Sequence, residues 1–259
     1  MMKKYIFFIV EGKHDREEIS AILNTPYFAD FKTRYEPCFL LPNVAGQGKG
    51  LRYSMESGGD ITADKKTTAS NILGRMSELI NDYKKNGRGY PIGHSDIARV
   101  VQITDADGAF IDPTSILRTS DPKVKYRSKS IETANVDGVA GRNAKKAEVL
   151  RRLISVNQIC NIPYSIFFVS CNMDHVLFDD RNMTPGRKTY YSLDFQSKCE
   201  SQPEIIFDSI LKPGIAVQSD YTSSWETLQL GKNSLRRITN LNLLLCELSQ
   251  ELMTKVTLQ

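Results

Sequence analysis

The chain has 259 residues, 41% hydrophobic and 25% charged, a composition ordinary for a soluble globular protein of one large domain or a core with a smaller appendage. Its 34 basic and 30 acidic residues leave a formal charge of +4. That bias is too mild to indicate an anionic partner, so one would have to be met by locally concentrated charge.

The five cysteines, Cys38, Cys160, Cys171, Cys199 and Cys246, are odd in number and form no CxxC pair. This argues against a disulfide framework or a structural zinc site and for a reducing cytoplasm. Met1-Met2-Lys3-Lys4 and the short apolar run after it look superficially like a signal peptide. However, Glu11, Lys13, Asp15 and Arg16 follow at once, without a small-residue cleavage site. No apolar stretch approaches the ~20 residues that span a bilayer, so no membrane partner is expected.

In chain order, residues 4–10 form the first predicted strand. Tyr5-Ile6-Phe7-Phe8-Ile9-Val10 is an unbroken apolar run of the kind buried on both faces in a parallel sheet. A charge inside that sheet is costly, which places Glu11 at the strand's C-terminal end, where open α/β sheets bind ligands. A helix follows from Lys13 through Ile19, Ile22 and Leu23, and Asn24-Thr25-Pro26 stops it. A second strand is expected near residues 37–41. Five glycines, at 46, 48, 50, 58 and 59, then mark a long loop. A helix is predicted over 66–85, with Ile72, Met76, Leu79, Ile80 and Tyr83 on one face, and a third strand over 98–104. Residues 112–142 are polar and weakly patterned. The spacing then predicts a helix over 143–158, a fourth strand over 165–170 and a short helix over 173–178. The rest lacks a strong strand signal and ends in an apolar-rich helix over 235–252. The expected fold is an open α/β sheet of about four parallel strands with helices on both faces. Residues 1–187 form that domain, and 188–259 form a helical extension packed on the core.

Both buried-strand patterns run into acidic residues, Glu11-Gly12 after the first and Asp105-Ala106-Asp107-Gly108 after the third. Convergent carboxylates suit magnesium, or manganese in its place, because these ions take oxygen ligands and keep several waters. Such an ion can orient a phosphate and activate water. Asp and Gly are also common turn formers, so the competing reading is two solvated turns.

Phe8-Ile9-Val10-Glu11-Gly12 with Asp15, followed one β/α unit later by Ile103-Thr104-Asp105-Ala106-Asp107-Gly108, resembles the two motifs of the TOPRIM domain. That domain is shared by DnaG-type primases, type IA and II topoisomerases, OLD-family nucleases and RecR-type repair proteins. The resemblance covers about residues 4–171, with spacing lengthened by the glycine-rich loop. It implies a TOPRIM-like sheet, Glu11 as general acid/base or metal ligand, and Asp105 and Asp107 as magnesium ligands. Asp15 falls on an acidic position found in many nuclease members, which makes it a further candidate metal ligand. No zinc or helicase-binding region, strand-passage domain or fused ATPase accompanies the motifs, and Tyr190 and Tyr191 are not expected to cleave DNA. What remains resembles small stand-alone TOPRIM proteins of bacterial anti-phage defence. The implied activity is magnesium-dependent nuclease action on DNA or RNA, with room for a separate ATPase partner and a homo-oligomer. The alternatives are primase-like nucleotidyl transfer and a non-catalytic RecR-like nucleic-acid-binding module.

Other residues carry weaker signals. Lys123, Lys125, Arg127 and Lys129 flank Tyr126, and with Lys13, Lys145 and Lys146 they are candidates for gripping a nucleic-acid backbone or are a solvated face. Asp174 and His175, after the fourth strand, are candidate accessory residues; a helix N-terminal Asp also simply complements the dipole. His14 and His94 are scattered. Gly46-Gln47-Gly48-Lys49-Gly50 fails as a phosphate loop, because Asn43 and Gly50 stand where Gly and Ser or Thr are needed. The EF-hand pattern fails at Phe110 and Ile116, and no GxSxG is present. Trp225 is expected to pack on the core.

Overall fold

A computed structural model describes residues 3–45, 50–56 and 58–257. The strands are β1 (Lys4–Ile9), β2 (Tyr35–Asn43), β3 (Arg52–Ser54), β4 (Ile97–Asp105), β5 (Ile116–Arg118), β6 (Lys125–Tyr126), β7 (Ile131–Thr133), β8 (Gln158–Ile159), β9 (Ile162–Ser170) and β10 (Ile238–Thr239). The α-helices are α1 (Lys13–Asn24), α2 (Ala29–Arg34), α3 (Ile72–Asn86), α4 (Val136–Ile154), α5 (Met173–Phe178), α6 (Pro185–Ser201), α7 (Ile205–Asp208), α8 (Tyr221–Gln229), α9 (Leu241–Leu248) and α10 (Gln250–Thr257).

The main sheet runs β10-β9-β4-β1-β2-β3, with β8 beside β9. Its four central strands are mutually parallel, as the apolar runs predict. The sheet as a whole is mixed, because β3, β8 and β10 pair antiparallel at its margins. These strands are two or three residues long, too short to show a hydrophobic period. From β1 the chain moves outward to β2 and then crosses back to β4 on the other side. The C-terminal ends of β1 and β4 therefore flank the point where strand order reverses, the crevice in which such sheets hold ligands.

Alternation along β1 places helices on both faces. Ile6, Phe8 and Val10 pack with Ile19, Ile22 and Leu23 of α1, and with Phe195 of α6 and Leu241, Leu244 and Leu245 of α9. Phe7 and Ile9 face Met76, Leu79 and Ile80 of α3, Leu150 of α4 and Trp225 of α8. Trp225 is buried edge-on against Phe168, with ring centroids 5.0 Å apart. The segment after residue 187 thus supplies core to both faces and adds β10 to the sheet.

Element boundaries moved where side chains cap helices. α3 begins at Ile72, six residues later than expected, because Thr68 donates its backbone N–H to the Asn71 side chain and spends the preceding residues in turns. α4 begins at Val136, seven residues earlier, where the Asn135 side chain accepts the Gly138 N–H at 3.0 Å. The helix expected over 235–252 is two helices, α9 and α10, preceded by a 3₁₀ turn at Asn233–Leu235. The glycine-rich loop contains β3, and the Gly46-Gln47-Gly48-Lys49 motif lies outside the described residues.

Candidate metal centre

Parallel pairing of β1 with β4 sets Phe8 opposite Val101 and Ile9 opposite Gln102. Continuing that register brings Glu11 level with Thr104. Glu11 Oε1 accepts the Thr104 hydroxyl at 2.8 Å and the Asp105 backbone N–H at 2.9 Å. The ends carrying the two acidic motifs are therefore neighbours, tied by the first carboxylate itself.

After Asp105 the chain turns sharply. Ala106 N–H donates to Val169 O, Asp107 N–H to Cys171 O, and Gly108 N–H to Ser234 O. Asp107 and Gly108 both have positive φ, 50° and 68°. A Cβ on Gly108 would also press on the terminal methyls of Leu235 and Ile131, 2.8 and 2.9 Å away, but it is the positive φ that calls for glycine. The turn aims Asp107 back toward Glu11.

Asp60 is the third member, and sequence reasoning did not single it out. It sits in the long loop just after Gly58. A Cβ on Gly58 would lie 2.2 Å from the Glu11 carbonyl oxygen, so only glycine lets the loop cross so close. The Gly58-Gly59-Asp60 step was the available signal: paired glycines mark a close approach, and the next acidic side chain travels with them. Glu11, Asp60 and Asp107 each offer an oxygen, and all three lie within 4.8 Å of one another.

Lys146 completes the group. Its side chain is wholly buried, and its ammonium lies 2.6 Å from Asp60, 2.9 Å from Asp107 and 3.9 Å from Glu11. Burial disfavours its charge, but Asp107, Asp60, Glu11 and Asp105 outweigh that and hold it protonated. Burial also opposes ionisation of Asp107, yet Lys146 and Arg142 pull its carboxyl below the ordinary value. Burial and the neighbouring Asp60 push Glu11 well above it, with Lys146 opposing. Asp107 also accepts the Tyr126 hydroxyl at 2.9 Å, and Asn143 Nδ2 donates to Gly108 O at 3.0 Å. Asn143 and Lys146, three apart on α4, occupy its buried stripe between Val139 and Leu150. Polar residues at the apolar period were the sequence sign that this helix covers a polar site.

The expected ligand set differs from the observed group. The Asp105 side chain accepts the Met173 backbone N–H at the start of α5, at 3.2 Å, and burial and Glu11 raise its pKa well above the ordinary value. It lies beside the three carboxylates rather than among them. Asp15 accepts the Gly12 N–H at 2.8 Å and so caps α1; burial pushes its pKa up to about 6, with Lys188 opposing. Asp174 is buried and paired with Lys188. His175 is buried and held neutral by burial and Arg181, with its pKa lowered to about 4, and its Nδ1 accepts the Cys171 N–H.

Most of the cations expected to meet a polyanion have partners within the chain. Lys13 pairs with Glu17, Lys125 with Asp121 and Arg127 with Glu132. Lys145 donates to the carbonyls of Asp64 and Lys65. Lys145 and Lys146 stand in the middle of α4 rather than at its start, and Lys146 faces carboxylates instead of solvent. Lys123 is exposed.

Chemically the group suits a divalent cation. Its donors are hard carboxylate oxygens from three residues, gathered around a single ammonium. Among the described residues no helix is long and apolar enough to cross a membrane. Comparison with protein-family models, with curated proteins and with solved structures finds no match to this chain.

Proposed function

We propose that this chain is a magnesium- or manganese-dependent nuclease of the TOPRIM kind, cleaving phosphodiester bonds in DNA or RNA. One observation carries the reading. Two neighbouring parallel strand ends deliver Glu11 and Asp107 to the switch point of the sheet, where Asp60 joins them with oxygens within 4.8 Å.

Glu11, Asp60 and Asp107 would hold the ion, with Asp105 in reserve beside them. When bound, the ion supplies charge stabilisation on phosphate oxygens and acidifies a coordinated water. Glu11 keeps Oε1 fixed by Thr104 and Asp105, which leaves Oε2 as the atom that would either meet the ion or take and return a proton. Lys146 fixes the orientation of Asp60 and Asp107 and offsets part of their repulsion. The proposal extends to a cytoplasmic enzyme of anti-phage defence working beside a separate ATPase, the setting of the small TOPRIM proteins it resembles.

The test is incubation of the purified chain with end-labelled single- and double-stranded DNA and RNA, with and without magnesium or manganese. Metal-dependent cleavage is expected, lost by at least about a hundredfold in Glu11→Gln and Asp107→Asn. Full activity in both folded variants overturns the reading, and template-dependent extension of labelled nucleotides would replace it with nucleotidyl transfer.

A further inference from the structure

We infer that a second surface, a cleft of about 490 Å³ beside the carboxylate group, binds the phosphodiester backbone of a nucleic-acid strand. This rests on the nuclease reading for its purpose but not for its geometry.

Five cations line the cleft, Lys129, Arg181, Lys232, Arg236 and Arg237, and no carboxylate does. Arg237 has an acidic neighbour outside the lining, Asp179 at 3.5 Å, and also donates to the Val176 carbonyl. Among the described residues, Lys129, Arg181, Lys232 and Arg236 form no ion pair, in contrast to Lys125 and Arg127 nearby, which are neutralised by Asp121 and Glu132. Asp179 beside Arg237 and Asp112 near Lys232 offset only part of this positive charge, and like charges so gathered repel one another, a cost that a polyanion removes on binding. Arg181 is held in place by the Leu235 carbonyl, and Arg236 by the Asn233 side chain, so part of the array is preorganised. The remaining polar groups of the lining, Ser128 and Asn233, are uncharged and suit phosphate and sugar oxygens.

Position ties the cleft to the carboxylates. One wall is the loop just after Tyr126, whose hydroxyl donates to Asp107. The other is the 232–237 segment, in which the Ser234 carbonyl accepts the Gly108 N–H. Both walls therefore rest on Asp107-Gly108. A strand seated in the cleft is held by the same two supports that shape the proposed metal centre. Of the cations that the sequence offered around Tyr126, Lys123, Lys125, Arg127 and Lys129, only Lys129 lines the cleft; the others that line it are Arg181 and the cations of the 232–237 segment.

The experiment is fluorescence anisotropy with a labelled single-stranded oligonucleotide in EDTA, so that no cleavage intervenes. Lys129, Lys232 and Arg236 are exposed, so the Lys129→Ala/Lys232→Ala/Arg236→Ala triple variant leaves the core intact. It should bind at least about tenfold more weakly at 50 mM salt, and its log–log salt slope should be shallower by about 2, the share of three single-strand phosphate contacts. A control of equal charge loss on another face, Lys4→Ala/Lys84→Ala/Lys85→Ala, should bind as wild type does. Equal affinity in the triple variant and wild type overturns the inference, as does equal weakening in the control. Displacement of the oligonucleotide by polyglutamate as effectively as by unlabelled oligonucleotide overturns the assignment to nucleic acid. Cleavage is scored separately. Weaker binding in the triple variant without any metal-dependent cleavage by wild type upholds the cleft and rejects the nuclease. Cleavage by wild type with unchanged binding in the triple variant does the reverse.

Discussion

The Lys146 ammonium stands 2.9 Å from the Asp107 carboxylate, with its side chain wholly out of solvent. A buried lysine among three carboxylates is a fixed countercharge, and removing it leaves those carboxylates uncompensated. Lys146→Met should therefore destabilise the chain by roughly 3–5 kcal/mol in EDTA, read from urea unfolding. With one positive charge gone, the same variant should bind manganese more tightly than wild type in calorimetric titration and recover stability as the ion is added. Weaker manganese binding by the folded variant would show that Lys146 positions the carboxylates more than it competes with the ion.

Asp60 reaches the centre only because Gly58 passes against the Glu11 backbone. A Cβ 2.2 Å from the Glu11 carbonyl oxygen must push the loop away. Gly58→Ala and Asp60→Asn should thus produce the same defect, a loss of manganese affinity of about tenfold or more, with far-UV circular dichroism unchanged. A normal titration for Gly58→Ala would mean that the loop yields without moving Asp60.

The Asp107-Gly108 turn stores its requirement in a positive φ. Gly108→Ala meets both the conformational penalty at φ 68° and contacts under 3.0 Å with Leu235 and Ile131. A loss of about 1–3 kcal/mol in urea unfolding is expected, together with weakened metal binding. Wild-type stability would show that the turn relaxes into another conformation at no cost.

Asp15 makes stability depend on pH in a definite direction. Burial raises its folded pKa to about 6, above the ordinary value, so the folded state binds this proton more tightly than the unfolded state does. Its contribution is fully present below the unfolded pKa of about 4 and is lost as pH rises through 6. Asp15→Asn imitates the protonated form and still accepts the Gly12 N–H. In EDTA the variant should gain about 2 kcal/mol over wild type at pH 8 and nearly nothing at pH 4. A stability difference that is the same at both values would rule out the shifted titration.

Lys146 and Glu11 show how differently a site's residues are written in a sequence. Glu11 was legible because a short apolar run rich in aromatic and isoleucine residues suits a buried strand, and a charge directly after it is cheapest at that strand's end. Asp107 followed by the same logic at the end of β4. The central parallel strands, helices on both faces and the short helix over Met173–Phe178 were likewise local in origin, set by period, length and breakers. Strand order was not local. Whether β1 lies next to β4 is a matter of topology, and on it depends whether Glu11 meets Thr104 and Asp105 or solvent. Asp60 and Lys146 join Glu11 across sequence separations that no periodicity spans. Their placement is an electrostatic bargain, an ammonium accepted into the core only where carboxylates from three other segments converge. The first stretch of the chain determined where a carboxylate would stand. Tertiary packing alone decided which groups would face it, because only the folded sheet brings those segments within hydrogen-bonding distance and out of water.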